Sequence, residues 1–176
     1  MKVKELKIVF SEEQIRRRVA ELAAEIDALY GDEPLVAVCV LKGACIFFAD
    51  LVRALKKPNI ELDFVRLSSY GMEDASTRTV TFKKDVDIAL QGRHVLIVED
   101  IIDTGHTMDF LLRQFAARGA KSLRLAALVD KRERREVDVT TDFAGFALDT
   151  GFIVGYGLDY AERYRQLPAV YEIIPE

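Results

Sequence analysis

Apolar and polar residues along this chain change period several times, and each change marks an element. Ser11-Glu12-Glu13-Gln14 has the form of a capping box, and Ile15, Val19, Leu22, Ile26 and Leu29 then recur at helical spacing. Arg16, Arg17 and Arg18 fall on the polar face of that helix and are expected in solvent. Gly31 ends it. Leu35 to Leu41 is continuously apolar, the pattern of a strand buried on both faces. Lys42-Gly43 closes that strand, and Ala44 to Lys57 reads as a helix halted by Pro58. Ile60, Leu62 and Phe64 alternate with Glu61 and Asp63, which predicts a strand. Ser68 to Thr77 is small and polar without periodicity, and Val80-Thr81-Phe82 alternates again. His94 to Val98 is a short apolar run, and Met108, Leu111, Leu112, Phe115 and Ala116 then mark a helix that stops at Gly119. Leu123 to Val129 predicts another buried strand, and the stretch from Asp142 to Tyr160 a strand pair with glycine-rich corners.

Strands alternate with helices from Leu35 to Val129. This predicts an α/β fold with a mainly parallel central sheet and helices on both faces. A length of 176 residues fits one domain, with a core over about 35–130. The N-terminal segment, including its helix, and about 137–176 are expected to form a small hood over the carboxyl edge of the sheet. Half the residues are apolar, so the chain is globular. No apolar run approaches the ~20 residues of a membrane span, and no signal-peptide core follows Met1-Lys2-Val3-Lys4-Glu5. A net charge of −4 argues against a nucleic-acid partner. Cys39 and Cys45 fit no zinc spacing and read as buried free thiols, which suits a reducing cytoplasm.

The chemistry concentrates after His94. The apolar run turns acidic at Glu99-Asp100, and two apolar residues later comes Asp103-Thr104-Gly105-His106-Thr107, directly before a helix. A loop feeding a helix N-terminus presents free backbone N–H groups, and the helix dipole favours an anion there. Gly105 permits close backbone approach, and Thr104 and Thr107 add hydroxyls. Glu99 and Asp100 suit sugar hydroxyls or a bridging metal ion rather than phosphate. Together these residues ask for a phosphorylated ribose.

The string from Val95 to Thr107 resembles the phosphoribosyl-diphosphate (PRPP) motif of the type I phosphoribosyltransferases, and within them the hypoxanthine-guanine branch. Three further pieces resemble that family in the same order: Lys42-Gly43, Ser69-Tyr70, and Phe152 to Arg165. The resemblance implies purine salvage, with ribose 5-phosphate moving from PRPP to N9 of hypoxanthine or guanine and giving IMP or GMP plus diphosphate. It implies that Lys42 and Gly43 form a diphosphate loop with a cis Lys-Gly bond, and that Ser69 and Tyr70 belong to a lid. It makes Asp103 the catalytic base and Lys131 the reader of the purine 6-oxo group. Phe152 and Ile101 would hold the two faces of the base, and the backbone around Ile153 and Asp159 would meet a 2-amino group. Arg165 would contact diphosphate. Mg2+ would be held at Glu99, Asp100 and Asp159. His106 departs from relatives that carry lysine there; a spectator ring and a pH-sensitive contribution near the 5-phosphate are both open. The resemblance also implies a homodimer or homotetramer. Two other readings share parts of the pattern: a xanthine-preferring transferase, and a PRPP-motif regulator that binds RNA. The acidic balance and the purine segment disfavour the second. The charge run from Lys131 to Glu136 is expected in solvent apart from Lys131.

Overall fold

A computed structural model describes residues 3–70 and 79–175. The elements, in chain order, are β1 (Val3–Phe10), α1 (Glu12–Tyr30), β2 (Leu35–Leu41), α2 (Cys45–Ala54), β3 (Ile60–Tyr70), β4 (Thr79–Lys84), β5 (His94–Ile102), α3 (His106–Ala117), β6 (Ser122–Lys131), β7 (Phe143–Leu148), β8 (Ile153–Val154) and β9 (Val170–Pro175). Six strands form one sheet in the order β4-β3-β2-β5-β6-β7, and three form a second in the order β1-β9-β8. In the large sheet β3, β2, β5, β6 and β7 run parallel, and β4 returns antiparallel to β3.

Period-2 alternation along fully buried strands splits the core into two layers. Leu35, Ala37 and Cys39 of β2 and Leu96 and Val98 of β5 face α1 and α2, with Ile15, Leu22, Phe47 and Leu51. Val36 and Val38, with Val95 and Ile97, face the other way onto Met108, Leu111 and Phe115 of α3. Both faces are therefore covered by helix, which is why β2 and β5 read as unbroken apolar runs. No helix among the described residues is long and apolar enough to cross a membrane.

Strand order places the functional end. After β2 the chain steps outward to β3, then crosses back to lay β5 on the other side of β2. Such a reversal opens a crevice at the carboxyl ends of the two strands, the usual ligand position in sheets of this kind. Here Lys42-Gly43 directly follow β2, and Glu99-Asp100 lie in the last part of β5, which ends at Ile102. Register then sets β6 beside β5, with Ile102 opposite Asp130, so Asp103 and Lys131 leave neighbouring strands at the same height.

Several expectations are corrected. The small sheet is built by β1, β8 and β9, whereas α1 packs into the main core. β1 is invisible as a period-2 pattern because register shifts at Val3/Glu5 and Ile8/Phe10 interrupt the alternation. β7 extends the large sheet rather than the hood. As an edge strand it has outward carbonyls to satisfy, and Arg18 donates to Ala144 O at 2.8 Å and Gly145 O at 3.0 Å. Arg18 is thus a bridging residue rather than a solvated one. α2 ends at Ala54, before the proline that was expected to stop it. Cys39 is buried but Cys45 is exposed, because it opens α2 on the helix's outer side. The cis peptide bond is Leu41–Lys42, one bond earlier than expected.

Candidate active site

The loop between β5 and α3 is shaped by Gly105, which caps α3 in the left-handed region at φ 93°. No side chain caps this helix, so its first N–H groups are left for a ligand. α1 is the opposite case: Ser11 Oγ accepts from Gln14 N–H at 3.3 Å, and Gln14 Oε1 accepts from Ser11 N–H at 2.8 Å. A cavity of about 170 Å³ opens at the start of α3, lined by Glu99, Asp100, Ile101, Asp103, Thr104, Gly105 and Thr107, together with Ile102 and Met108. Seven of the residues expected at the site from sequence therefore share one cavity. A larger cavity of about 550 Å³ lies between α1, α2 and residues 166–168. It holds none of those residues, so size alone does not locate the chemistry.

Glu99 is buried, and both it and Asp100 receive few donors. Asp100 N–H donates to Glu99 Oε1 at 3.0 Å, and Ile101 N–H donates to Asp100 Oδ1 at 2.9 Å. Burial, and then the adjacent Asp100 carboxylate, push the Glu99 pKa well above the usual range. Burial also raises that of Asp100, against the opposing pull of its hydrogen bonds and the Arg165 charge. A divalent cation beside this pair would hold both carboxylates ionised, so the donors suit magnesium. Among the described residues no three metal-binding side chains converge. Asp159 is held by Arg165 and does not complete a three-ligand group with the pair in this structure. Magnesium commonly binds through one or two carboxylates with ligand oxygens completing its shell, and the pair offers that.

Gly43 sits against this pair. A Cβ at Gly43 would fall 1.7 Å from Asp100 Oδ2, and one at Gly157 would fall 2.0 Å from Gly43 O. The Lys42-Gly43 loop is therefore wedged between the acidic corner and the C-terminal segment, and any side chain at either glycine would force them apart. Lys42 Nζ reaches Glu162 Oε2 at 3.0 Å. Arg165 donates to Gly157 O at 2.7 Å and pairs with Asp159 Oδ1 at 2.6 Å, and Asp159 Oδ2 accepts from Glu162 N–H at 2.8 Å. Arg165 Nε is buried without an acceptor among the described residues.

Lys131 is buried, and its ammonium donates to Gly151 O at 3.0 Å, next to Phe152. Phe152 is half-exposed, with its ring edge-to-face against Tyr160 at 5.6 Å. An exposed aromatic beside a buried cation offers a planar ligand one apolar face and one donor. Ile153 is buried in β8, and Ile101 packs on the core. Ser69 and Tyr70 end β3, where their backbones pair with Val80 and Thr79. Their side chains, and residues 71–78, which include the rest of the expected lid, lie outside the described residues.

The charge run after β6 holds what sequence reasoning missed. Arg134 Nη1 pairs with Asp103 Oδ2 at 3.1 Å, while Asp103 Oδ1 is buried with no donor among the described residues. Glu136 Oε2 meets His106 Nε2 at 2.8 Å. The His106 side chain is not part of the cavity lining. Arg135 is largely buried beneath the loop between β5 and α3. Alternating basic and acidic residues carry no periodic signal separating these from solvated neighbours, so nothing in the sequence marked them.

A phosphoribosyl transferase domain model matches residues 6–161. The chain is 46% identical over 164 residues to the hypoxanthine-guanine phosphoribosyltransferase of Bacillus subtilis, covering 93% of this chain and 91% of that one. It is also 46% identical to the enzyme of that name from Aquifex aeolicus, covering 97% and 96%. A crystal structure of a hypoxanthine-guanine phosphoribosyltransferase from Bacillus anthracis, with a HEPES molecule in its active site, superposes with a TM-score of 0.92. That pair shares 42% identity and covers 98% of this chain and all of the other. With the acidic corner, the uncapped N-terminus of α3 and the wedged glycine loop in place, this chain belongs to the phosphoribosyltransferase family.

Proposed function

We propose that this enzyme is a purine-salvage transferase that moves ribose 5-phosphate from PRPP to N9 of hypoxanthine or guanine, giving IMP or GMP and diphosphate. One observation carries the reading. An uncapped helix N-terminus with two threonines opens into the same cavity as the buried Glu99 and half-buried Asp100 carboxylates, both short of donors. A single ligand satisfying both needs an anion and vicinal hydroxyls, and PRPP has both.

In this reading the 5-phosphate takes the backbone N–H groups of residues 104–107 and the hydroxyls of Thr104 and Thr107. Glu99 and Asp100 accept from the ribose hydroxyls, and their negative charge lies near the positive charge that develops on the sugar as the C1–oxygen bond breaks. Bound magnesium would supply neutralising charge to the diphosphate. On the protein side, the part-exposed guanidinium of Arg165 is the cation offered to that leaving group. Lys42 and Gly43 present the loop beside it. The base lies on Phe152, with Ile101 toward its other face, and its 6-oxo group accepts from Lys131. As N9 forms its bond to C1, a ring proton passes to the Asp103 carboxylate. Carbonyls around Ile153 and Asp159 accept from the 2-amino group of guanine. Ser69 and Tyr70 close the lid, excluding water from the reacting sugar. His106, paired with Glu136 outside the cavity, is a spectator to phosphate binding. The protein works in the cytoplasm as a homodimer or homotetramer.

Lys131 donates and cannot accept, so adenine, with an amino group at that position, is rejected. The test is a panel of radiolabelled bases with PRPP and magnesium. Hypoxanthine and guanine give labelled nucleotide, and adenine does not. A panel in which no 6-oxopurine is converted removes the assignment, and one in which xanthine alone is converted moves it to the xanthine-preferring reading.

A further inference from the structure

Arg135 forms no part of the cavity, yet its guanidinium holds both ends of the site. Nε donates to Asp103 O at 3.0 Å, Nη1 to Val139 O at 2.9 Å, and Nη2 to Ile102 O at 3.3 Å and Lys131 O at 3.2 Å. Nη2 also pairs with the Asp130 carboxylate, which is buried. Two backbone bonds reinforce the same seam: Glu136 N–H and Val137 N–H donate to Thr104 O at 2.9 and 3.1 Å. Gly105 leaves room for it, since a Cβ there would fall 3.1 Å from Arg135 Cδ and 2.8 Å from Val137 O.

We infer that Arg135 is a positioning residue that fixes the proton acceptor Asp103 and the base reader Lys131 in one geometry, so that base selection and proton transfer act on the same bound purine. This rests on the transferase reading above. The physical ground is the shape of the guanidinium. Asp103 directly follows β5 and Lys131 is the last residue of β6, and each would otherwise be free to shift with its own loop. A planar fork spanning the carbonyls of 102, 103 and 131 removes that freedom, and Asp130 balances its charge without drawing on the site. A lysine in its place would bring charge but no fork, and could satisfy only some of those carbonyls.

The test compares Arg135→Lys and Arg135→Ala with Arg132→Ala. Arg132 is exposed and also pairs with Asp130, at 3.1 Å, whereas the bonds to the carbonyls of 102, 103 and 131 come from Arg135. Kinetics are referred to folded protein by counting sites with a tightly bound nucleotide. We expect Arg135→Lys to lower kcat for hypoxanthine roughly 10–100-fold while the KM for PRPP moves less than about threefold, since misplacement of reacting groups costs rate rather than remote binding. Added guanidinium ion restores part of the activity of Arg135→Ala and none is needed by Arg132→Ala, which turns over as wild type. Wild-type kcat in Arg135→Lys overturns the inference, as does a loss confined to the number of folded sites. If Arg135→Ala does not fold, Arg135→Lys decides alone. A wild-type protein that makes no nucleotide from any 6-oxopurine instead removes the transferase reading and the inference with it.

Discussion

Asp63 on β3 and the Glu99–Asp100 pair on β5 are acidic residues of the same sheet, and they meet opposite fates. Asp63 is 4% exposed, and Glu99 is 8% exposed. The Asp63 carboxylate accepts from the backbone N–H groups of Phe64 and Asp87 at 2.7 Å and of Ile88 at 2.8 Å, with Lys84 Nζ at 3.6 Å. Burial pushes its pKa up, but these donors outweigh that and hold it below the usual carboxylate range. Glu99 and Asp100 are each met by the N–H of the next residue, and both are pushed up by burial. The difference separates structure from function. A buried carboxylate supplied with donors ties elements together; one left short of donors beside a cavity is waiting for a ligand to supply them.

Asp103 gives the largest expected effect, because it stands between these cases, with one oxygen on Arg134 and the other unserved. Asp103→Asn should lower turnover ~10²–10⁴-fold, the scale of losing a general base, with PRPP affinity largely retained. Steady-state kinetics check this, and near-normal turnover would take Asp103 out of that role.

A smaller effect, of a different kind, is expected at Asp63. Asp63→Asn should cost about 1–3 kcal/mol of stability, the scale of charge-assisted bonds lost, while turnover per folded molecule stays at the wild-type value. Urea denaturation across pH sharpens the contrast. Asp63 has a lowered folded pKa, so its contribution is present above the ordinary carboxylate value and fades as pH falls toward the folded one. Glu99 and Asp100 have raised folded values. Their contribution is present below the ordinary carboxylate range and is lost as pH rises through the folded pKa. Glu99→Gln should therefore flatten the alkaline side of the stability profile and Asp63→Asn the acid side. Identical profiles for the two variants would dissolve the distinction.

How much of this was written in the sequence follows from the same physics. β5, its loop and α3 were legible because one short stretch carries an apolar run, two acids, a glycine and the apolar period of a helix. Glu99, Asp100, Asp103, Thr104 and Thr107, which local chemistry singled out, line one cavity. β1 was not legible, since register shifts break its alternation, and β9 matters only through pairing with β1 and β8. Arg135 was hidden for another reason: nothing distinguishes it from Arg132 or Arg134 until the chain folds and four carbonyls converge on it. Nor could the sequence tell Asp63 from Asp100, because the number of donors around a carboxylate is decided by loops distant in the chain, such as 85–88 reaching Asp63.

Calorimetric titration of PRPP with magnesium into three proteins tests the central contrast most directly: wild type, Asp63→Asn, and the double variant Glu99→Gln/Asp100→Asn. The account predicts that Asp63→Asn binds as wild type does. It predicts that the double variant loses at least about tenfold in affinity, or 1.4 kcal/mol, while remaining folded. Wild-type affinity in the double variant, or a loss confined to Asp63→Asn, would contradict the assignment of the donor-poor pair to the ligand.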